Sequence, residues 1–384
     1  MVKELVKDLK FSIIIPASRS QYIETALESV INQNYPNNQY EIIISDNSED
    51  GLKKKIKKFK FKNLKYYKTD KYLTVEKNWE VGFNLAKGEW QLMLCDDDIL
   101  DINCLHILSE KIAKYQDCEC FVWNYGFYTE EKNISQFSMP EEFDTDIFVD
   151  SKNTLKKLFS LGNGVSGKIK PLIPFFPRAV YSKILVNRIK EENSVLMIPP
   201  DPLVGSGVLA LIFARKVIKI QKTLTVIFIN NTGSASQFLT DQTAFNNTFK
   251  GFELKYVPIK SYFFLPSLGG EILLSLQSKF NLENYKFNFS KYFVDCFEAL
   301  KEFESNQKTF KNYRELKNTF HSQFRKLSFL EYISFYYLLY FKKISPLIDL
   351  ILYKLKIYKP LRYKSYLIEN GHISYFNKKN NLLS

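Results

Sequence analysis

Cysteine, histidine and tryptophan are scarce in this chain of 384 residues, at five, three and three. The cysteines (Cys95, Cys104, Cys118, Cys120 and Cys296) are odd in number, and Cys118-x-Cys120 has no second pair to complete a zinc set. They read as reduced and non-ligating. The histidines, His106, His321 and His372, stand outside every motif described below, so none is assigned catalysis. Also missing is any uncharged apolar run of about 18 residues, which argues against an ordinary membrane span. The apolar run at residues 11–16 is too short for a secretion signal and no small-residue cleavage site follows, so nothing marks export.

What the chain does contain is ordinary for a folded protein in its 45% apolar and 25% charged residues, and long enough for two domains. Aromatics are abundant at 16%. The net charge of +13 and pI near 9.2 point to an anionic partner, whether nucleic acid, phospholipid surface or sugar nucleotide. Between residues 11 and 128 short apolar runs alternate with amphipathic stretches, the pattern of a parallel sheet covered by helices. Strands are expected at 11–15, 41–45, 64–68 and 90–94. Tyr22, Ala26, Val30 and Gln33 share a helical face, as do Val75, Trp79, Gly82, Phe83 and Ala86, with Gly88 as a helix stop. Ligands of such sheets bind beyond the carboxyl ends of the strands, which gathers Ser18-Arg19, Asp46-Asn47-Ser48 and Asp96-Asp97-Asp98 into one crevice. Three successive aspartates repel one another at neutral pH, and a site that tolerates them usually supplies a metal ion or basic groups; aspartates also start turns and cap helices.

The lysines of residues 53–71 read as a solvated helix face leading into a strand. Residues 129–177, with a Gly/Ser-rich segment at 161–167 and Pro171, Pro174 and Pro177, read as irregular loops over a site. A helix is expected over 202–215 and two strands at 217–220 and 224–229. Past residue 250 the chain becomes helical, aromatic and basic: residues 301–384 hold 16 Lys/Arg against 6 Asp/Glu, a net of +10. There, 329–341 is apolar nearly all round and closed by Lys342-Lys343, and 347–358 repeats the composition. Such helices either lie in the headgroup layer of an anionic membrane or pack on the body of the protein.

The order of these motifs resembles the family 2 glycosyltransferases of GT-A fold over roughly residues 10–240. The segments that carry the resemblance are Ser12-Ile13-Ile14-Ile15-Pro16, Ala26-Leu27-Glu28-Ser29-Val30 with Gln33, Ile44-Ser45-Asp46-Asn47-Ser48-Glu49-Asp50-Gly51, Asn78-Trp79, Ala86-Lys87-Gly88-Glu89-Trp90 and the aspartate triplet. It implies a Rossmann-like, mostly parallel α/β sheet flanked by helices. The glycosyltransferase domain would span 1–245, with a nucleotide-binding half at 10–128 and an acceptor-side half at 129–245. A helical, basic, aromatic C-terminal extension follows at 246–384.

By the same resemblance Pro16, Ala17, Ser18 and Arg19 line the nucleotide, Arg19 also reaching phosphate. Asp46 accepts from the imide N–H of uracil, with Asn47 beside it. Lys77 and Asn78 stand near phosphates or sugar, and Trp79 belongs to the core. Asp96 faces the sugar nucleotide, and Asp97 or Asp98 ligates Mn²⁺ or Mg²⁺. Many relatives carry aspartate where this chain has Cys95 and some a small residue, which leaves the ligating register open by one position. Asp201, in Met197-Ile198-Pro199-Pro200-Asp201-Pro202-Leu203, is the expected general base; aspartate before proline is also an ordinary helix N-cap, and Glu191 and Glu192 are fallback acids. Gly233-Ser234-Ala235-Ser236 resembles a loop that closes the site.

The implied reaction moves a sugar, with inversion, from a nucleotide-sugar such as a UDP-sugar to a glycan or lipid-linked acceptor in surface-glycan synthesis, at the cytoplasmic face of a membrane. Processive synthases of the family carry membrane spans and Gln-x-x-Arg-Trp after the base. This chain has neither, and its last tryptophan is Trp123. A non-catalytic scaffold subunit is the competing reading, less well served by Asp46, Asp97 and Asp201 together. A nucleic-acid binder fits the charge but not three acidic motifs at strand ends, so no nucleic-acid partner is expected.

Overall fold

Isoleucine-rich runs make the first strands, because β-branched side chains suit a pleated surface buried on both faces. The computed structural model describes residues 9–19, 21–49, 51–131, 134–162, 167–228, 252–261, 265–305, 313–354 and 363–369. In it β1 (Phe11–Ala17), β2 (Tyr40–Asp46), β3 (Leu64–Lys68) and β4 (Trp90–Met93) pair in parallel in the order β4-β1-β2-β3. Alternate residues enter opposite cores. Ile14, Ile43 and Met93 meet Phe83 of α3 (Val75–Leu85) on one side; Ile13, Ile15, Ile42, Ile44 and Leu92 meet α1 (Ile23–Ile31) and α4 (Cys104–Lys114) on the other. Each fully buried isoleucine contributes about 1.5–3 kcal/mol.

The lysine-rich stretch forms the short helix α2 (Lys53–Ile56) and edge strand β3. α3 does not stop at Gly88: it ends at Leu85 with Ala86 as its cap. Gly88 serves a closer purpose, since a Cβ there would lie 2.5 Å from the backbone carbon of Phe11. Only glycine lets the chain pass so near β1.

Residues 129–177 are more ordered than their sequence suggests. β6 (Cys120–Glu131) and β7 (Ile134–Pro140) form an antiparallel hairpin, followed by β8 (Ile147–Phe148), α5 (Ser151–Leu161) and a 3₁₀ turn at Gly167–Leu172. Asp150 caps α5 by accepting from the N–H of Asn153 at 3.0 Å. β9 (Ala179–Ser182), α6 (Lys183–Asn193), α7 (Pro202–Phe213) and β10 (Val217–Phe228) come next. β10 is one strand, not two, with irregular register on either side of Thr223; it runs parallel to β6 and antiparallel to β5 (Ile99–Leu100) and β8. β9 runs antiparallel between β4 and β6, so β4 and β6 point the same way.

Glycine 162 ends α5 in the left-handed conformation (φ 69°), and a Cβ there would also meet the Asn288 carbonyl at 2.5 Å. The C-terminal helices dock at that point. α8 (Leu265–Lys279) places Ile272, Leu273 and Leu276 in the same core as α5, α6 and α7, while α9 (Phe289–Ser305), α10 (Tyr313–Phe324) and the first turns of α11 (Phe329–Lys354) share a separate aromatic cluster. Buried Glu271 of α8 accepts from the N–H groups of Lys255, Tyr256 and Val257 at 2.7, 2.9 and 3.1 Å. That fixes the incoming chain. The expected division near residue 245 and the Gly233–Ser236 motif lie outside the described residues, as does His372. Two expectations change here: α11 continues through Pro346 rather than breaking into two stretches, and a final strand, β11 (Tyr363–Glu369), pairs antiparallel with β7. Among the described residues no helix is long and apolar enough to cross a membrane.

Lys219, on β10 beside Val122 of β6, is buried with no carboxylate partner among the described residues. Burial, with the Arg178 charge adding to it, lowers its pKa to about 8. A lysine depressed in the folded state opposes folding fully below pH 8, and the penalty fades as pH rises toward the unfolded value of about 10.4. Lys219→Met is therefore expected to gain on the order of 2–3 kcal/mol at pH 7, with the gain shrinking by pH 10. Urea unfolding at both pH values checks this; a destabilised variant would contradict it.

Candidate functional site

β1, β2 and β3 stop at one level, and β4 ends opposite Ile14. Ala17 pairs with Asp46, the N–H of Asn47 donates to the Ala17 carbonyl at 2.7 Å, and the N–H of Leu94 donates to Ile14 at 2.9 Å. The next residues of each strand therefore share a crevice at the carboxyl edge, where an open α/β sheet binds ligands.

Asp96 joins two of these ends. Its Oδ2 accepts from the backbone N–H groups of Ser18 and Arg19 at 3.0 and 3.1 Å, and its Oδ1 accepts from Arg19 Nη2 at 2.9 Å. The same nitrogen reaches Asp97 Oδ2 at 2.7 Å. Burial opposes the Arg19 charge, but Asp96 and Asp97 outweigh it and raise its pKa. Asp97 moves above the usual carboxylate range because burial and Asp96 outweigh the pull of Arg19. Asp98 lies deeper, accepting from the Phe228 N–H at 3.1 Å, and burial next to Asp97 raises it well above its ordinary value. Two carboxylates thus share one guanidinium, and the third has only a backbone donor beside it.

A hard divalent cation suits this set. Oxygens of Asp97 and Asp98 and the Cys95 sulfur fall within 4.8 Å of one another, the one such trio among the described residues. Burial and the neighbouring carboxylates push the Cys95 thiol well up, and a hard cation prefers carboxylate oxygen to sulfur. The residues present fit Mn²⁺ or Mg²⁺, with Asp97 and Asp98 as holders and a charge deficit for the ion to fill.

Asp46, expected to read a nucleobase, is already saturated. Oδ1 accepts from the N–H and hydroxyl of Ser48 at 2.9 and 2.6 Å, and Oδ2 from the Leu52 N–H and the Tyr66 hydroxyl at 2.8 and 2.6 Å. Burial works against its charge, yet these donors hold the carboxyl below its ordinary range. A base N–H would have to share an oxygen that holds two donors. Asn47 is similarly engaged, bridging Leu73 through its N–H and carbonyl, and Asn78 is buried against Ser45, whose hydroxyl donates to it at 2.6 Å. Pro16 and Ala17 are the last residues of β1, Ser18 is exposed, and Lys77 is exposed on α3. Trp79 is partly buried against the core, as expected.

On the acceptor side Asp201 caps α7. Its Oδ1 accepts from the N–H groups of Leu203 and Val204, both at 3.1 Å, leaving Oδ2 without a protein donor among the described residues. Burial raises its pKa against the cap bonds and Lys170. Flanking Ile198 and Leu203 pack on the same core as Cys95, the residue before the triplet. Glu191 and Glu192 are exposed on α6 and Glu80 is drawn to the Leu196 and Met197 N–H groups, so Asp201 is the better-placed acid of this segment.

Sequence reading missed the aromatic wall beside the triplet. The Tyr128 hydroxyl donates to the Asp97 carbonyl at 3.2 Å, and the Tyr128 ring stacks on Phe228 at 4.4 Å, with Tyr22 edge-on to Phe228 at 4.9 Å. Tyr66 was missed too. Tyr22 and Phe228 lie at a helix entry and a strand end, whereas Tyr66 and Tyr128 lie within β3 and β6, where no motif marks them.

Residues 12–176 match the model of Glycosyl transferase family 2. Over 125 residues the chain is 34% identical to "Uncharacterized glycosyltransferase MG060" of Mycoplasma genitalium, an alignment covering 30% of this chain and 41% of that relative. The chain thus spans less than half of that curated relative. Among solved structures it is similar to S. aureus TarS 1-349 in complex with UDP-GlcNAc, with a TM-score of 0.50 and 17% identity over 85% of this chain and 78% of that one. Residues 12–176 thus resemble a family 2 glycosyltransferase domain, and the fold is the GT-A arrangement expected from the sequence.

Asp46→Asn puts an amide N–H among four donors and is expected to cost about 2–3 kcal/mol at pH 7. A depressed carboxyl stabilises fully above its unfolded pKa of about 4 and loses that contribution as pH falls through its folded value, so the gap between the two proteins should close in acid. Chemical denaturation across pH 3–7 measures it; equal stability at pH 7 would remove the anchor role.

Proposed function

We propose that the protein is a metal-dependent, inverting glycosyltransferase that moves a sugar from a nucleotide-sugar to a hydroxyl of a glycan or lipid-linked acceptor. The observation that carries this reading is the juxtaposition of three buried carboxylates and Arg19 at the carboxyl edge of a parallel sheet within the region that resembles a family 2 domain. A UDP-sugar is the donor class to test first, since the family resemblance favours it and a protein of similar fold was solved with UDP-GlcNAc. The setting is surface-glycan synthesis at the cytoplasmic face of a membrane.

Asp97 and Asp98 would hold Mn²⁺ or Mg²⁺, which acts as a Lewis acid toward the departing diphosphate when bound. The chain's own residues do the rest. The Ser18 and Arg19 backbone, tied to Asp96, shapes the floor under the nucleotide, with Pro16 and Ala17 behind it. Arg19, which stands beside Asp96 and Asp97, would offer its guanidinium to phosphate oxygens. Asn47 and Asp46 keep the 46–52 loop in the shape that borders the base; Lys77 and Asn78 lie on the helix facing it. Asp201 takes the acceptor proton on Oδ2, its raised pKa making it a stronger base than an exposed carboxylate.

Thermal shift against a nucleotide-sugar panel, with and without Mn²⁺, tests donor and metal together. A UDP-sugar with Mn²⁺ is expected to raise the midpoint by a few degrees, and Asp97→Asn to lose the metal-dependent part. Asp201→Asn keeps a helix cap and should keep donor binding while turnover drops roughly 10²–10⁴-fold. No response to any donor would refute the proposal.

A further inference from the structure

One side of α11 takes no part in the reaction proposed above and is not covered by the described residues. Phe335, Leu338 and Leu339 turn onto the C-terminal aromatic cluster, whereas Phe329, Leu330, Ile333, Tyr336, Tyr337 and Tyr340 recur at helical spacing on the opposite side and face solvent. Phe329 and Leu330 are each 77% exposed, and Tyr337 and Tyr340 are 65% and 66% exposed. Contiguous apolar area of this kind marks a contact surface, unlike the scattered single residues found on any protein.

The surrounding charges select the partner. Arg325 and Lys326 are exposed just before the helix, and Lys342 and Lys343 follow the aromatic turns in sequence. The single acid between them, Glu331, is folded back into a capping box, accepting from the N–H and hydroxyl of Ser328 at 2.9 and 2.6 Å. In sequence, two cations therefore stand on either side of an aromatic stripe whose one carboxylate is already engaged. Tyrosine carries an apolar ring and a polar tip, the combination suited to a boundary between headgroups and acyl chains.

We propose that this face of α11 docks on an anionic phospholipid surface, the aromatic stripe entering the headgroup layer and the flanking cations meeting lipid phosphates. A symmetric contact with a second copy would bring the two basic flanks together, so like charges oppose it. The inference is independent of the sugar-transfer reading: donor binding at the acidic crevice can fail while vesicle binding holds, and the reverse.

The test is flotation of the full chain with phosphatidylcholine vesicles, with and without about 30% phosphatidylglycerol, beside a Phe329→Ser/Tyr337→Ser/Tyr340→Ser variant. The expected result is binding to the anionic vesicles, about tenfold weaker binding to neutral ones, and a loss of about tenfold in the variant. The substituted side chains are exposed, so the thermal midpoint should not move. Arg325→Gln/Lys326→Gln should weaken binding to anionic vesicles alone. The proposal is overturned if wild type ignores anionic vesicles, if both variants bind as wild type does, or if wild type sediments as a dimer that the aromatic variant dissociates.

Discussion

Mutual repulsion among Asp96, Asp97 and Asp98 is the constraint around which the cleft is built. Two like charges about 4 Å apart repel by on the order of 4 kcal/mol at an effective dielectric near 20, and burial adds the cost of leaving water. The chain offsets this with different means at each position. Asp96 is satisfied by two backbone N–H groups and a guanidinium, Asp97 shares that guanidinium, and Asp98 has the Phe228 N–H together with a raised pKa. The compensation decreases along the triplet. What remains unmet is concentrated on Asp97 and Asp98, where the proposed ion would bind, and not on Asp96, which is already bound up with β1.

A second polar knot serves the opposite end. Asp46 collects four donors from its own loop and from β3, so the loop after β2 is held as firmly as the strand before it. Buried polar networks specify geometry only when fully satisfied, and this one is. The contrast is chemically useful: a saturated carboxylate makes a rigid border, whereas an under-compensated one recruits a ligand. Both are aspartates at the carboxyl end of a strand, and sequence position alone does not separate them.

That difference sets the boundary of what could be read from residues. The parallel strands were legible because Ile13–Ile15 and Ile42–Ile44 are apolar without a break, as a doubly covered sheet requires. The triplet was legible for the same reason, as charge abruptly following such a run. The β6–β7 hairpin was hidden because its strands mix polar and apolar residues, and their outer edges pair with β9, β10 and β11, far away in sequence. Gly88 was misread because a helix stop and a close backbone approach demand the same residue. Proline 346 did not break α11 despite the missing N–H: the helix continues to Lys354. Tyr66 and Tyr128 act through hydroxyls that only the assembled strands bring to Asp46 and Asp97.

Asp201 shows how one residue can satisfy both readings of its sequence. A carboxylate has two oxygens, and the helix start uses only Oδ1, so capping α7 and accepting a proton are not in competition. The cap also fixes the side chain's rotamer, which a general base requires, since proton transfer depends on position before it depends on pKa. Burial then raises the proton affinity of the oxygen left over, while the two N–H bonds limit that rise by favouring the anion. Were the carboxylate held by donors on both oxygens, as Asp46 is, it would be a poor base; were it held by none, it would lack a fixed direction. The half-satisfied state lies between these, and it follows from placing an aspartate, followed by a proline that cannot donate, at the entrance of a helix whose body is wholly apolar.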